Sequence, residues 1–372
     1  MRVVISAGGT GGHIYPALAI INKIKEKEPD SEFLYIGTHN RMEKDIVPNR
    51  GIPFKSIEIY GFDKKNILKN FKTVKCLIKA FKDTKKMIKD FDPDIVIGVG
   101  GYVTVPVIYS AKKLGYKTFL HEQNSLPGKS NKFLLKYSDM IGASFPSSLD
   151  LLPKDKTVLT GNPCAEDALK KKEADKKELG LSDDKKLVLI VMGSLGAGKV
   201  SEYLKEELMK FEGKDYEVLF ITGKDSYKNV IENKYPNNVK IIPFYEGLPS
   251  LMKKTDLMVT RAGASTLSEI IALGVPSIII PSPFVANNHQ YINALDLVEK
   301  DAAIMIEEKD LISGKLSKAV DDVIIDDKKL SSMRNNLSKL MVNNSADVIY
   351  NNLKRIVDEK NKWWFDKRLY YL

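Results

Sequence analysis

Cysteine and long apolar runs are what this chain of 372 residues lacks most. Its only cysteines, Cys76 and Cys164, lie far apart without C-x-x-C spacing, which argues against a disulfide framework or zinc cluster and favours a reducing compartment. No apolar run approaches the ~18 residues that a membrane span needs. Because residues 1–5 run directly into a glycine-rich turn, there is no room for a signal peptide. We therefore expect a cytoplasmic protein that touches a membrane only peripherally.

Acidic residues are also in the minority. The 58 lysines and arginines outnumber the 48 aspartates and glutamates, so the net charge is +10. This charge suits an anionic partner, such as an acidic membrane surface or a phosphorylated substrate. Because the basic residues do not interleave with aromatic residues as in a recognised nucleic-acid module, we expect no nucleic-acid partner. The length is sufficient for two domains with separate cores.

Short apolar runs alternate with stretches of helical spacing. A first series contains "RVVIS", "EFLYIG", "DIVIGVG" and "KTFLHEQ", and a second begins at "KLVLIVMGS". This alternation predicts an α/β fold of two doubly wound, Rossmann-like domains with parallel sheets. The "GNP" turn and the charged run after it indicate the boundary. The predicted domains are 1–160 and 161–343, followed by a helical tail, 344–372, that packs back on the N-terminal domain.

Four strand ends carry turns of glycine or small residues. They are "SAGGTGGH" at 6–13, "GVGGYVT" at 98–104, "MGSLGAGK" at 192–199 and "TRAGASTLSE" at 260–269. Glycine lets a ligand approach the backbone, and the helix N-terminus that follows suits phosphate. The first turn is not a dinucleotide fingerprint, because Ile14 occupies the third glycine position. The third resembles a P-loop but has Val200 where Ser or Thr must hold Mg²⁺.

The fourth turn has two interpretations. Glu269 follows Thr266 by three residues, which is the spacing of a capping box. The same carboxylate could instead accept hydrogen bonds from ribose hydroxyls, as acids do in other nucleotide sites. The pattern alone leaves both open.

The motifs together resemble the MurG family of UDP-N-acetylglucosamine transferases. The matching stretches are "GGTGGHIYPALAI", "GVGGYV", "LHEQNSLPG", "GNP", "GSLGA", "RAGASTLSEI" and "NNHQYINA", in the family's order. The resemblance implies a GT-B glycosyltransferase fold, with two domains facing a cleft. The N-terminal domain would bind the lipid acceptor and face the membrane, and the C-terminal domain would bind UDP-GlcNAc.

The resemblance also implies the reaction. N-acetylglucosamine would pass, with inversion, from UDP-GlcNAc to the C4 hydroxyl of the muramic acid sugar of an undecaprenyl-pyrophosphoryl acceptor, lipid I, giving lipid II for peptidoglycan. It implies no cofactor and no metal. The expected partners are UDP-GlcNAc, lipid I, the anionic cytoplasmic membrane surface and cell-wall synthesis proteins, with the enzyme peripheral on the cytoplasmic face of the membrane.

The family's functional residues carry over by position. The residues implied to bind UDP-GlcNAc are Thr10, Gly11, Gly12, Asn124, Ser194, Tyr245, Ala264, Ser265, Thr266, Leu267, Glu269 and Gln290. Those implied to bind the acceptor are Gly9, Gly100, Gly101 and Tyr102. The chain departs from the pattern at Ala165, where some members have Arg, and at His289, where a second glutamine is common.

His13, which closes the first glycine turn, is the predicted catalytic base. Its unperturbed pKa of ~6.5 leaves a useful fraction neutral near neutral pH, and a helix N-terminus disfavours the imidazolium. The alternative is that His13 caps the helix or positions the acceptor. Of the remaining histidines, His39, His121 and His289, only His121 lies in a family motif.

Two segments suggest membrane contact. The stretch 64–91 carries ten lysines between Lys64 and Lys89, with apolar residues at helical spacing. That stripe predicts either a core-facing helix or a basic amphipathic membrane helix. The membrane contacts predicted there are Leu68, Lys72, Leu77 and Lys79. The C-terminal "WWFDKRLYYL" is rich in aromatics, which favours a membrane interface or docking on another domain.

Other functions remain open at this stage. Another UDP-sugar enzyme of the same fold, such as a lipid glycosyltransferase or a UDP-sugar epimerase, would keep the donor loop without needing a polyprenyl acceptor. A P-loop kinase is disfavoured by Val200.

Overall fold

The computed structural model describes residues 1–61, 67–192 and 198–369, without the side chains of 67–72, 198–199, 286, 312–313 and 360–369. The chain divides into two compact units. Unit 1 contains Met1–Cys164 and Asn343–Leu372, and unit 2 contains Ala165–Val342. Both are α/β with parallel sheets, so the predicted fold class is confirmed. The division lies a few residues after the position expected from the "GNP" turn, within helix α6 (Pro163–Lys170).

Unit 1 is built on a parallel sheet of seven described strands. They are β1 (Arg2–Ala7), β2 (Glu32–Thr38), β3 (Phe54–Ile57), β4 (Ile95–Gly100), β5 (Lys117–Glu122), β6 (Met140–Ala143) and β7 (Thr157–Leu159), in the order β3-β2-β1-β4-β5-β6-β7. Its helices are α1 (Gly11–Lys27), α2 (Glu43–Ile46), α3 (Ile67–Phe91), α4 (Thr104–Lys113), α5 (Lys129–Leu134) and the last helix, α14 (Ser345–Leu369). Strand β4 is buried along its whole length, as expected for a central strand covered on both faces.

Unit 2 repeats this plan with a sheet of six described strands. They are β8 (Lys186–Val191), β9 (Tyr216–Ile221), β10 (Val239–Ile242), β11 (Leu257–Thr260), β12 (Ser277–Ile279) and β13 (Ala303–Met305), in the order β10-β9-β8-β11-β12-β13. The helices are α7 (Gly198–Met209), α8 (Lys224–Ile231), α9 (Leu248–Met252), α10 (Ala264–Leu273), α11 (His289–Val298), α12 (Lys315–Ile324) and α13 (Asp327–Leu340).

The strand order explains where the four glycine turns lie. In unit 1 the order reverses between β1 and β4, and in unit 2 between β8 and β11. These reversals are the switch points at which open α/β sheets bind ligands, outside the carboxyl ends of the strands. Each predicted turn follows one of these four strands. The turns at 6–13 and 98–104 therefore lie at the switch point of unit 1, and the turn at 260–269 lies at that of unit 2, whereas residues 193–197 of the remaining turn lie outside the described residues.

The last helix returns to unit 1. Ile349, Leu353, Ile356 and Val357 of α14 are buried in the same hydrophobic cluster as Ile14 and Leu18 of α1. Burial of aliphatic side chains contributes roughly 1.5–3 kcal/mol each, so this face holds α14 on unit 1. The aromatic side chains beyond residue 359 lie outside the described residues.

Candidate active site

Three hydrogen bonds hold the turn after β1 in place. The Gly8 N–H donates to the Gly100 carbonyl at 3.2 Å. The Gly9 N–H donates to Oε2 of Glu43 at 3.2 Å, and the Gly8 carbonyl accepts from Nδ1 of His13 at 3.1 Å. Gly9 has a φ of +94°, which favours glycine. The turn is therefore fixed by protein contacts before any ligand arrives.

The contact with Gly8 defines the tautomer of His13. A carbonyl oxygen only accepts hydrogen bonds, so Nδ1 must carry the proton. In the neutral ring the lone pair then lies on Nε2, the nitrogen that could take a proton from a hydroxyl. Nδ1 of His13 is bonded to a carbonyl, and Thr10 rather than His13 occupies the N-cap position of α1, which corrects the interpretation of His13 as a helix cap.

The predicted ligands Thr10, Gly11 and Gly12 surround this histidine. Thr10 is the N-cap of α1, but its side chain makes no capping hydrogen bond. Its carbonyl accepts from the backbone N–H of His13 at 3.1 Å. Gly11 and Gly12 open the helix, where the first N–H groups have no intrahelical carbonyl to bond.

The second turn packs directly against the first. Gly100 and Gly101 have φ values of +125° and +90°. A Cβ on Gly100 would lie 2.6 Å from Cδ2 of His13, and one on Gly101 would collide with the Gly8 carbonyl oxygen. Glycine is therefore needed here for close packing of the two turns. Tyr102, the next residue, is 57% exposed.

His121, in the "HEQN" motif, is a structural histidine. Its Nε2 donates to the Gly161 carbonyl at 3.1 Å, and its Nδ1 lies 2.9 Å from Nε2 of Gln123. Burial lowers its pKa to about 4, although the Gly161 hydrogen bond acts in the opposite direction. With both nitrogens engaged in a buried site, His121 cannot compete with His13 as the base.

The neighbouring Asn124 is held by Glu122. Oε1 of Glu122 accepts from the backbone N–H of Asn124 at 2.9 Å and from its side-chain amide at 3.1 Å. Oε2 accepts from the Gly128 N–H at 3.0 Å and from the Asn131 amide at 2.8 Å. Glu122 is buried, so a single carboxylate organises the loop that presents Asn124.

The donor residues predicted in unit 2 gather at the start of α10. Gly263 is the N-cap, without a side-chain capping bond, and Ala264, Ser265 and Thr266 are the first three helical residues. Oγ of Ser265 is buried and has no hydrogen-bond partner among the described residues. An unpartnered hydroxyl beside a helix N-terminus suits a phosphate group.

Leu267 requires a correction. Its side chain is buried in unit 2, and its N–H donates to the Gly263 carbonyl at 2.9 Å. Neither group is therefore available to the nucleotide. Leu267 supports the turn instead of binding the ligand.

The structure excludes one of the two interpretations of Glu269. Because Gly263 is the N-cap, Thr266 cannot cap α10, and the capping-box interpretation is wrong. Burial, followed by repulsion from Asp167, raises the pKa of Glu269 to about 7. A desolvated carboxyl with a perturbed pKa at a strand-end turn is typical of a binding site.

The remaining donor residues lie on other loops of unit 2. Oε1 of Gln290 accepts from the Ser282 N–H at 2.8 Å, which orients its amide N–H groups away from that bond. Asn287 and Asn288, just before it, have left-handed φ values of +56° and +51°. Tyr245 is half-buried in the loop after β10. Ser194 lies outside the described residues.

Two charged residues near the donor turn, residues 260–269, were not predicted from the sequence. Arg261 directly follows β11 and donates to the Ile280 carbonyl at 3.1 Å and to Glu308 at 2.8 Å. Both side chains of this ion pair are nearly buried. Arg261 was visible in the quoted motif, but its partner is 47 residues away and nothing in the local pattern indicates it.

Val200 is buried in the core of unit 2. The position that would hold Mg²⁺ in a P-loop is therefore occupied by a core side chain.

Helix α3 does not bury the apolar stripe as its core-facing interpretation predicts. Thr73, Cys76, Ala80, Thr84 and Ile88 are buried, while Val74 and Ile78 are 44% and 66% exposed. Small residues line the inner face because α4 packs closely there, with Oγ1 of Thr84 3.2 Å from Oγ of Ser110.

The predicted membrane contacts on α3 differ in exposure. Leu77 is half-buried and packs against the core of unit 1, and its membrane contact stays a prediction. Lys79 is exposed. The side chains of Leu68 and Lys72 lie outside the described residues. Among the described residues, no helix combines the length and hydropathy needed to cross a membrane.

Comparison with known proteins covers both units. Residues 3–142 match the glycosyltransferase family 28 N-terminal domain, and residues 187–349 match the family's C-terminal domain. The UDP-N-acetylglucosamine--N-acetylmuramyl-(pentapeptide) pyrophosphoryl-undecaprenol N-acetylglucosamine transferase 1 of Bacillus cereus is 46% identical over 362 residues, covering 96% of this chain and 100% of the relative. The transferase of the same name from Bacillus licheniformis is also 46% identical, over 96% of this chain and 99% of the relative.

Solved structures agree with this match. The crystal structure of Acinetobacter baumannii MurG has a TM-score of 0.77 at 25% identity, over 95% of this chain and 99% of that one. A UDP-N-acetylglucosamine 2-epimerase from Listeria monocytogenes, described as putative, has a TM-score of 0.67 at 15% identity, over 94% of each chain. The second likeness concerns the fold alone.

Proposed function

The chain belongs to glycosyltransferase family 28, and from that premise we propose that it transfers N-acetylglucosamine from UDP-GlcNAc to the muramic acid sugar of undecaprenyl-linked lipid I, forming lipid II. The Bacillus relatives are named for this transfer over nearly the whole length of the chain. The observation that carries the proposal is the donor turn of unit 2, where an unpartnered serine hydroxyl and a desolvated glutamate lie on the first turns of one helix.

The donor turn suits a sugar nucleotide. The N–H groups of Ala264 to Thr266 and Oγ of Ser265 would stabilise the diphosphate, whose negative charge grows as UDP departs. Glu269 would accept hydrogen bonds from the ribose hydroxyls. The side-chain amide of Gln290 would donate to hydroxyls of the sugar, because its oxygen is already engaged by Ser282. Tyr245 and Ser194 complete the proposed nucleotide site.

The acceptor chemistry is assigned to the paired turns of unit 1. As the C4 hydroxyl oxygen attacks the anomeric carbon, its proton would pass to Nε2 of His13 and the bond from that carbon to the UDP oxygen would break. The Nδ1–H bond to Gly8 would keep the ring oriented for this transfer. Asn124 and the residues at 9–12 and 100–102 would contact the two sugars or the acceptor diphosphate.

One assay separates this function from epimerisation. The protein is incubated with radiolabelled UDP-GlcNAc, with and without lipid I. We expect labelled lipid only when the acceptor is present, and no change in the nucleotide sugar without it. Conversion of UDP-GlcNAc to another UDP-sugar in the absence of acceptor would contradict the proposal and favour an epimerase.

Because the proposed acceptor is linked to a lipid, we also propose that the protein attaches to a membrane through α3. Val74 and Ile78 project from α3 among exposed lysines, which are Lys75, Lys79, Lys82, Lys85 and Lys86. An apolar pair within a basic face suits peripheral attachment to the anionic cytoplasmic membrane surface. Lysines near anionic lipid contribute ~1 kcal/mol each, so replacing four of them with glutamine should weaken binding by about three orders of magnitude.

Vesicle flotation tests this surface. We expect salt-sensitive binding to anionic vesicles that is lost when Lys75, Lys79, Lys82 and Lys86 become glutamine. A matched control replaces four exposed lysines of unit 2, which are Lys171, Lys172, Lys234 and Lys328. Equal loss in both variants would show a general charge effect and remove α3 from the proposal.

A further inference from the structure

The peptide between Gly8 and Gly9 is bonded at both of its ends. Its carbonyl, on Gly8, accepts from Nδ1 of His13 at 3.1 Å. Its N–H, on Gly9, donates to Oε2 of Glu43 at 3.2 Å. One planar peptide group therefore links the imidazole of His13 to a carboxylate 30 residues further along the chain.

Glu43 is held firmly in this position. Its side chain is fully buried, and its second oxygen accepts from the Thr38 N–H at 3.0 Å and from the Thr38 hydroxyl at 2.7 Å. Both carboxylate oxygens thus act as acceptors for donors fixed at the ends of β1 and β2. No ion pair of Glu43 occurs within the described part of the chain. Its carboxylate is hydrogen-bonded instead to the backbone of the turn, at the Gly9 N–H.

The close approach of Glu43 also accounts for Gly8. A Cβ on Gly8 would collide with Oε1 of Glu43 and lie 3.1 Å from Cγ1 of Val103. Gly8 is not among the glycines with positive φ, so its backbone conformation does not require glycine. The residue is needed because a carboxylate packs against its α-carbon.

Hydrogen bonds in series polarise one another. A carboxylate that accepts the Gly9 N–H makes the Gly8 oxygen more negative, and that oxygen then holds the Nδ1–H of His13 more strongly. In hydrolase triads an acid bonds directly to the histidine and fixes its tautomer. We propose that Glu43 is a positioning residue that fixes the Nδ1–H tautomer of His13 through the Gly8–Gly9 peptide. No proton moves along this path, and the catalytic consequence rests on the proposed role of His13 as base.

The tautomer can be observed directly by NMR. Long-range ¹H–¹⁵N spectra of the imidazole rings are assigned with His13→Ala, and the chain has only four histidines. At pH 8 we expect His13 to show the Nδ1–H pattern. His121 serves as an internal reference for the opposite tautomer, since its Nε2 donates to a carbonyl.

Glu43→Gln is the informative substitution. An amide has one accepting oxygen and one donating nitrogen, so it cannot accept from Gly9 and Thr38 at once. We expect the ¹⁵N shifts of His13 to move towards a mixture of tautomers while those of His121 stay unchanged. Unchanged His13 shifts would overturn the proposal.

The matched control is Glu207→Gln. Glu207 is also a buried glutamate that accepts a backbone N–H, from Ser317 at 2.9 Å, but it lies in unit 2. We expect it to leave the His13 signals unchanged. Equal movement in both variants would attribute the effect to general loosening of the protein and contradict the proposal.

Kinetics test the consequence for the reaction. The difference between a charged and a neutral hydrogen bond predicts that Glu43→Gln lowers kcat about tenfold, with KM for UDP-GlcNAc nearly unchanged. In a His13→Ala background the same substitution should have little further effect, because the group it acts on is gone. An equal loss of kcat in both backgrounds would show that Glu43 does not act through His13.

The NMR and kinetic measurements distinguish failure of the proposed link between Glu43 and His13 from failure of the proposed role of His13 as base. If the tautomer shifts but turnover stays normal in both Glu43→Gln and His13→Ala, the linkage stands and His13 is not the base. Should Glu43→Gln fail to fold, Glu43→Asp retains the charge but is shorter by one methylene, and the amide proton shift of Gly9 reports whether its hydrogen bond to the carboxylate persists. The His13 signals should move only where that hydrogen bond is lost. Unchanged signals after its loss, or altered signals while it persists, would overturn the proposal.

Discussion

Replacing Glu269 with glutamine should make the ligand-free protein more stable at alkaline pH while damaging its donor site. Burial and the nearby Asp167 raise the pKa of this carboxyl from 4.5 to about 7. Ionisation is therefore disfavoured in the native state relative to the unfolded chain. Glutamine keeps the shape of the side chain and cannot ionise.

The sign follows from proton linkage. Between pH 4.5 and about 7 the native state binds this proton and the unfolded state releases it, so stability falls as pH rises through this window. A shift from 4.5 to about 7, at 1.36 kcal/mol per pH unit, corresponds to about 3 kcal/mol. Most of that loss, about 2–3 kcal/mol, falls between pH 5 and pH 8.

Urea unfolding of the full chain at pH 5 and pH 8 measures this loss of stability. We expect wild-type stability to fall by about 2–3 kcal/mol more than that of Glu269→Gln over this interval. Glu212→Gln, at an exposed position of the same unit, provides the control and should keep the wild-type pH dependence. Identical pH dependence in wild type and Glu269→Gln would refute the assignment of a raised pKa to this residue.

The same substitution tests the ribose contact. A carboxylate that accepts hydroxyl hydrogen bonds must be ionised, so UDP affinity of the wild type should rise with pH up to about 7. Binding near pH 6 should release a proton, which calorimetry in buffers of different ionisation enthalpy detects. Loss of a charged hydrogen bond predicts a tenfold to hundredfold weaker affinity, roughly, in Glu269→Gln and Glu269→Ala. Wild-type UDP affinity in both variants would refute the contact.

Three further predictions concern unit 1. His13→Ala should lower kcat by ~10²–10⁴-fold with UDP-GlcNAc affinity nearly unchanged. Near-normal turnover of His13→Asn in the transfer assay would show that the ring only positions the acceptor. Asp347→Ala should lower the free energy of unfolding by about 1–3 kcal/mol in a denaturant titration, because it removes a carboxylate 3.1 Å from the nearly buried Lys23. Asp358→Ala, at an exposed position of the same helix, is the control, and an equal loss of unfolding free energy in both variants would contradict this prediction. Deletion of residues 363–372 should lower the melting temperature, since the helix continues to Leu369, whereas unchanged stability with lost vesicle binding would assign the aromatic segment to the membrane.

Local patterns predicted the features that depend on local geometry. Alternating apolar runs and helical stretches gave the two parallel sheets, because strand burial and helix periodicity are visible within a few residues. The four glycine turns were identified for the same reason. The location of the described turns at the switch points was not, since strand order depends on contacts between segments far apart in sequence.

Helix α3 shows where periodicity alone misleads. One of the two interpretations of its large apolar residues placed them on the buried face, but the inner face carries Thr73, Cys76, Ala80 and Thr84. Close approach of α4 selects small side chains, and the Thr84 hydroxyl is satisfied by the carbonyl of Ala80 at 2.7 Å. A hydrophobicity count gives such residues little weight. Val74 and Ile78 are consequently left exposed on the basic face.

Glu43 shows how a functional acid can escape a motif search. In the dinucleotide fold an acid at the end of the second strand bonds the ribose, and this chain has none at that point. The acid comes five residues after Thr38, on the short helix α2, and bonds the Gly9 backbone instead. A residue that acts on a peptide group needs no characteristic neighbours in sequence, because every residue except proline supplies the same N–H. The partner of Glu43 can therefore be identified only from the position of the turn after β1, and the link to His13 only from the two ends of one peptide plane.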